Sequence, residues 1–358
     1  VLFWLAGLSV ALAQESPIVV GVAVSRSGAQ ADLGAAYTQG LERWRDELNA
    51  GGGLLGRPVE LRFVDDASRA ARAGEVYAQL IREGKADLLI GPYGSAATIV
   101  AAAEAERAQR VMLNAAGPAA AVHARAPKYV FQSAIPYRVY GAGVLEAAAE
   151  AGYRRLFIVA RDDPASREMA EGALKAAGKD FSNAEVAFYR AGAEDFAAQV
   201  EKARATEAQA WIAFGGAPDA AEMVKTFKRL RYAPKLFFAS SASDPRFIER
   251  LGQDAEWTLG ALDFPPGYPG GRPAAQGYVA GTVLAAAVRN AGTLHQEKLR
   301  AALAGLEIAT LLGIYRVDPK SGAQTGARPQ LMQVRKGRLQ PGRPVLPYPQ
   351  WDERVLME

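Results

Sequence analysis

IVVGVAVSRSGAQADLG, residues 18–34, runs from an almost continuous apolar stretch through a polar loop into the start of a helix. Ile18 to Val24 is mostly β-branched, the composition of a strand covered on both faces. The loop is Ser25-Arg26-Ser27-Gly28. Beyond it Tyr37, Leu41, Trp44 and Leu48 recur at helical spacing on one face, and Gly51-Gly52-Gly53 ends the helix. The same unit then repeats. Val59 to Val64 reads as a strand, followed by a helix to Glu83 that Ser68 can cap. Asp87 to Ile90 reads as a third strand, leading through Gly91-Pro92-Tyr93-Gly94 into a helix near Ser95, and Val111 to Asn114 reads as a fourth. Strand–helix alternation of this kind implies right-handed crossovers and a parallel sheet with helices on both faces.

The alternation restarts further along. Leu156 to Ala160, Glu185 to Tyr189, Ala210 to Phe214 and Leu236 to Ala239 read as strands, with helices near 165–178, 194–204 and 218–230 between them. Two successive open sheets imply two lobes, as expected for 358 residues, more than one core usually supports. Phe131 to Pro136 is the expected first crossing between them. After Leu262 a loop, Pro265 to Gly271, precedes a long alanine-rich helix from about Ala274 to Asn290. The Pro- and Gly-containing segment 336–349 is expected to wrap the surface.

The N-terminal run is of another kind. Leu2 to Leu12 is apolar, Ala11-Leu12-Ala13 places small residues where a signal peptidase reads, and Gln14 to Pro17 turns polar. Residues 1–13 therefore read as part of a secretory signal peptide, with a mature chain starting near Gln14. The run is short for a membrane span, which takes about 20 residues. A soluble, extracytoplasmic protein is expected.

Composition narrows the chemistry. The absence of cysteine removes disulfides, thiolate metal sites and cysteine nucleophiles. The net charge of +4 comes from basic residues dispersed among acids, and with no zinc-finger spacing or basic region, nucleic acid is not an expected partner. The two histidines, His123 and His295, stand in no ligand or triad spacing and read as surface or helix residues. Asp65-Asp66, at a strand end, reads as a turn rather than a metal or acid–base pair. Neither a Walker loop nor a GxGxxG after a strand is present. Neither an enzyme nor a cofactor or metal is expected.

In open parallel sheets ligands bind outside the carboxyl ends of the strands, where helix N-termini offer unpaired N–H groups to anions. Three loops qualify: Ser25 to Gly28, Gly94-Ser95, and Ala115 to Pro118. Ser95 can act either as a helix cap or as a ligand hydroxyl. Gly215-Gly216 admits close backbone approach, and Asp219 beyond it can cap a helix or meet a ligand ammonium.

At this point the chain resembles the branched-chain amino acid (leucine/isoleucine/valine-type) substrate-binding proteins of ABC transporters. The resemblance lies in GVAVSRSGAQADLG at 21–34, LNAGGGLLGRPVELRFVDDAS at 48–68, LIGPYGSAAT at 89–98, AFGGAPDAAEMV at 213–224 and TLLGIYRVDPKSGAQTG at 310–326. It implies an α/β fold of two Rossmann-like lobes joined by three hinge crossovers, the type I periplasmic binding protein. The implied lobes are 17–134 plus 262–327 and 135–261 plus 328–345, with a tail at 346–358. The implied function is a periplasmic, monomeric receptor that closes on a small molecule, an amino acid or related carboxylate, and delivers it to a membrane permease. A sensory subunit of the same fold is the alternative. The implied site takes the ligand carboxylate on Gly94, Ser95, Ala116 and Gly117, the ammonium on Asp219, an aromatic wall at Tyr278, and Ser27 and Leu33 from the first loop. Pro118 stands where the resemblance expects a threonine, and Ala165 where it expects an aromatic.

Overall fold

The computed structural model describes residues 16–346. The expected signal segment 1–13 and nearly all of the tail 346–358 lie outside them. The first sheet holds β1 (Ile18–Val24), β2 (Val59–Asp65), β3 (Leu88–Ile90), β4 (Met112–Asn114) and β5 (Val130–Gln132) in the order β2-β1-β3-β4-β5, all parallel. Its helices are α1 (Ala31–Ala50), α2 (Ala70–Arg82) and α3 (Ser95–Arg107). β1 is buried along almost its whole length, as its apolar run requires.

The chain then crosses to a second sheet through α4 (Ala142–Glu150). There it forms β6 (Arg155–Arg161), α5 (Pro164–Ala177), β7 (Asn183–Tyr189), α6 (Ala197–Ala205), β8 (Ala210–Phe214), α7 (Ala217–Leu230), β9 (Leu236–Ala239), α8 (Pro245–Leu251) and β10 (Leu259–Leu262). These strands are parallel, in the order β10-β9-β8-β6-β7. The core of this lobe is aromatic: Trp211 meets Phe227 edge-on at 4.9 Å and Phe157 at 5.1 Å.

A second crossing returns the chain to the first lobe as α9 (Gly271–Ala291), α10 (Gln296–Gly305) and the hairpin of β11 (Ile308–Thr310) and β12 (Gly313–Tyr315). A third carries it back as β13 (Gln330–Arg335) and β14 (Arg338–Pro341), which add antiparallel strands beside β10. The fold is thus the expected one, two Rossmann-like lobes with three crossovers between them.

The structure corrects several local readings. Val130 to Gln132 is still a strand of the first sheet, so the crossing begins later than Phe131. Part of the 336–349 segment lies at the surface as an ordered edge strand, β14, paired with β13, where the reading expected an irregular wrap. Ser68 does not cap α2. Its hydroxyl donates to Ser27 O at 2.7 Å and accepts from Gln30 N–H at 3.0 Å, tying the loops after β1 and β2 together. His123 is buried at 7% exposure, with Nδ1 2.8 Å from Ser321 O and Nε2 3.2 Å from Asn114 Nδ2, so it belongs to the interior of the third crossing. Asp65 and Asp66 hold a turn, as expected: Asp65 Oδ1 accepts from Ala67 N–H at 2.8 Å and Asp66 Oδ1 from Ser68 N–H at 2.9 Å.

Candidate functional site

Both sheets reverse strand order at one point, between β1 and β3 in the first and between β6 and β8 in the second. The crevice outside the strand ends at such a point is where doubly wound sheets hold ligands. A cavity of about 430 Å³ lies there, within the range of small-molecule sites. It is bounded by Ser25, Gln30 and Ser68 from the loops after β1 and β2, by Tyr93 to Ala97 after β3, and by Ala119 after β4. The second lobe supplies Asp163 to Ala165 and Glu168 from the start of α5, and Tyr137 comes from the first crossing.

Two helix starts meet this cavity, and they differ. At α5 the N-cap is Asp163, whose Oδ1 accepts from Ala165 and Ser166 N–H at 3.0 Å each, while Arg161 Nε donates to Oδ2 at 2.6 Å. That helix end is satisfied internally. At α3 the N-cap is Gly94, in a left-handed conformation at φ 88, with no side chain to cap with. The first-turn N–H groups of an α-helix have no intrahelical partner, so α3 presents Ser95, Ala96 and Ala97 N–H unspent at the cavity. Helix N-termini of this kind favour anions. The positive φ explains why glycine stands at 94: an L side chain is strained there.

Ser95 is the first residue of α3 and not its cap. Its Oγ accepts from Ala119 N–H at 3.1 Å, which leaves the hydroxyl proton free to donate. Ala116 pairs with Tyr93 as an isolated bridge, and its carbonyl accepts from Gly94 N–H at 3.1 Å. Gly117 is used internally: its N–H donates to Asn114 Oδ1 at 2.8 Å and its carbonyl accepts from Asn114 Nδ2 at 2.9 Å. Ala116 and Gly117 thus support the floor but do not line the cavity. Pro118 sits at the seam, its carbonyl accepting from Tyr137 N–H at 3.3 Å.

The other candidates lie away from the cavity wall. Asp219, at 5% exposure, belongs to the first turn of α7, where Oδ2 accepts from Gly216 N–H at 3.0 Å and Tyr189 Oη at 3.2 Å and lies 3.6 Å from Arg161. Tyr278 donates to Glu47 Oε2 at 2.7 Å, and its ring is 5.7 Å from the Arg43 guanidinium, on the face where α9 meets α1. Ser27 donates to Asp65 Oδ2 at 2.8 Å and shapes the loop after β1. Leu33 is 41% exposed in the first turn of α1. The aromatic residues that do line the cavity are Tyr93 and Tyr137, with Ala165 opposite. Tyr93 lay inside a quoted motif. Tyr137 and Glu168 carried no signal in the pattern, because a crossing and a polar helix face look alike whether or not a cavity opens beside them. Among the described residues no cluster of acids and histidines is placed to hold a metal.

Two open α/β sheets with a cavity at their strand ends define a class of two-lobed solute receptors. Residues 17–273 match the family described as periplasmic binding protein, and the chain belongs to that family. An amino acid binding protein of Pseudomonas aeruginosa is 34% identical over 84 residues, which is 24% of this chain and 22% of that protein's length. A solved structure from Rhodospirillum rubrum, assigned to branched-chain amino acid ABC transport, superposes with a TM-score of 0.82 at 21% identity, covering 91% of this chain and 100% of that one. A solute-binding protein of an ABC transporter from Rhodopseudomonas palustris, solved with 3,4-dihydroxybenzoic acid, gives 0.70 at 17% identity over 90% and 95%. At these identities the structural likeness is one of fold.

Proposed function

We propose that the protein is the periplasmic receptor of an ABC importer, binding rather than converting a small carboxylate, an amino acid or a close relative, and delivering it to a membrane permease. The observation that carries this reading is the uncapped N-terminus of α3 at the cleft, with Ser95 Oγ beside it. A ligand carboxylate laid there meets the N–H groups of Ser95 to Ala97 and the Ser95 hydroxyl, donors that are short, directional and charge-assisted. Family membership supports a receptor, and the amino acid binding relative and the aromatic acid in a structural neighbour support a carboxylate.

The test is a thermal-shift screen of the mature protein against amino acids and aromatic or aliphatic acids, followed by calorimetric titration of each hit. Ser95→Ala is expected to weaken the hit about tenfold to a hundredfold, the worth of a hydrogen bond to a charged group. Its melting temperature without ligand should fall only slightly, because Ser95 is not the cap of α3 and a single half-buried amide, Ala119 N–H, loses its acceptor. Unchanged affinity would remove this assignment of the carboxylate.

A further inference from the structure

Asn114, at the end of β4, and His123, closing the short helical turn Ala120–Val122, are both buried. The Asn114 amide has one orientation that its surroundings allow. Gly117 N–H can only donate, so Oδ1 faces it at 2.8 Å, and Nδ2 is left to Gly117 O at 2.9 Å and to His123 Nε2 at 3.2 Å. The imidazole is fixed in the same way. Ser321 O, 2.8 Å from Nδ1, can only accept, so Nδ1 carries the proton and the neutral ring offers Nε2 as acceptor to Asn114. One amide thus fastens both ends of the loop 117–123, and both of its hydrogens are spent.

That loop supports the carboxylate site. Gly117 lies so close to α3 that a Cβ there would come within 2.7 Å of Thr98 Oγ1. Two residues on, Ala119 N–H donates to Ser95 Oγ at 3.1 Å and so limits where the hydroxyl can donate. The next amide, Ala120 N–H, reaches Glu168 of the other lobe at 3.0 Å.

Proton uptake by His123 would turn Nε2 into a second donor facing the Asn114 N–H. Two buried donors in contact leave each other unsatisfied, with no water to stand in. Turning the amide over would offer Oδ1 to the ring but forfeit both bonds to Gly117. Either way the loop loses a fastening. Burial accordingly lowers His123 below the ordinary imidazole range, opposed by the Ser321 carbonyl and reinforced by the charge of Arg138 in the first crossing. The other charged groups on the elements around it are committed or exposed. Asp318 Oδ1 accepts from Ser321 N–H at 2.8 Å, and Glu106 of α3 accepts from Lys128 and Tyr129 N–H at 3.0 and 2.9 Å. Lys320 and Arg125 are exposed. With its folded value depressed, His123 contributes stability that is lost as pH falls below the ordinary imidazole value of about 6.5.

We infer that His123 is a positioning residue for the carboxylate site: its neutral imidazole completes the Asn114 fastening that holds Ala119 against Ser95, so that acid loosens the site and weakens binding. This rests on the proposed carboxylate reading of the cavity.

The experiment is calorimetric titration of wild type, H123Q, H123F and S95A with L-leucine and L-phenylalanine, at about pH 7.5 and about pH 5, on either side of the imidazole range. Neither amino acid changes charge between them. Burial also raises the carboxyl of Glu168 toward this range. Glu168 is common to all four proteins, so the difference between variants is what counts. Wild type should lose about fivefold more affinity in acid than H123Q, which keeps a donor and an acceptor but takes up no proton. At the higher pH H123Q should recover most of the affinity that H123F, with neither group, loses. Melts at each pH confirm folding. In protein without added amino acid, the Gly117 and Ala119 amide resonances should move with pH in wild type and stay in H123Q. Equal acid losses in wild type and H123Q, or resonances that stay in wild type, overturn the role of His123 while S95A still loses affinity. If S95A binds both amino acids as wild type does, the carboxylate reading fails instead. If wild type binds neither, the resonances alone decide whether His123 holds the loop.

Discussion

Asp219 and Ser95 both stand in the first turn of a helix at the carboxyl end of a sheet, and their surroundings give them different work. Asp219 satisfies the Gly216 N–H and answers the charge of Arg161, so its carboxylate is part of the second lobe's own structure. Asp219→Asn keeps an oxygen for the Gly216 N–H but loses the charge that answers Arg161, so it should appear first as lost stability, about 1–3 kcal/mol for a buried, charge-assisted network made neutral. Chemical denaturation would show this as a lower midpoint at unchanged slope, and an unchanged midpoint would contradict it. That Asp219 follows two glycines at a strand end was legible in the sequence. That Arg161 and Tyr189 reach it was not, because they come from β6, paired beside β8, and from β7 beyond it, and not from its neighbourhood in the chain.

At the scale of elements, the join between α1 and α9 is the tightest packing that positions the site, since α1 begins directly after the loop that borders the cavity. A Cβ at Gly40 would lie 1.9 Å from Ala274 O, and one at Gly281 would lie 2.0 Å from the Trp44 ring. Backbone cannot yield there as a flexible side chain would. Gly40→Ala should cost about 1–3 kcal/mol or more, as overpacking does. Gly74, inside α2, has only ordinary contact with Val100 at 3.5 Å. Gly74→Ala should stabilise by about 0.5–1 kcal/mol, by removing backbone entropy from the unfolded chain. Thermal melts of the two variants should move in opposite directions, and a shared direction would refute the packing argument. The helical face of α1 was readable from Tyr37, Leu41, Trp44 and Leu48, all buried. The glycine seam was not, because a glycine that admits another helix and one that merely tolerates its place carry the same letter.

At the scale of the whole molecule, the crossings are fastened to one another beside the cleft. Gln132 N–H donates to Gly322 O at 2.8 Å and Gln132 Oε1 accepts from Gln324 N–H at 3.2 Å, joining the end of β5, where the first crossing leaves the sheet, to the third. Tyr140 Oη donates to Asp263 Oδ2 at 2.5 Å, and Arg272 Nε lies 2.8 Å from the same oxygen, joining the first to the second. Lobes held by short, mutually bonded crossovers move as rigid bodies, and a ligand that touches both lobes favours the closed arrangement. Small-angle scattering with a saturating hit from the screen should show a smaller radius of gyration than without it. An unchanged radius would remove the clamp while leaving binding in place.

By itself the sequence determined the fold class, the two successive sheets, the glycine-containing approach to α3 and the family resemblance. These follow from periodicity and turn chemistry, which act over a few residues and are written in consecutive letters. The tertiary structure alone decided which groups are free to bind. The cavity gathers Ser25, Ser95, Ala119, Tyr137 and Glu168 from five separate segments. Whether a group there is already bonded, as Asp163 is to Arg161 and two backbone amides, or unspent, as the first N–H groups of α3 are, depends on which loops the crossovers bring within about 3 Å, the reach of a hydrogen bond. That reach is short, directional and indifferent to distance along the chain, so no reading of neighbouring residues contains it.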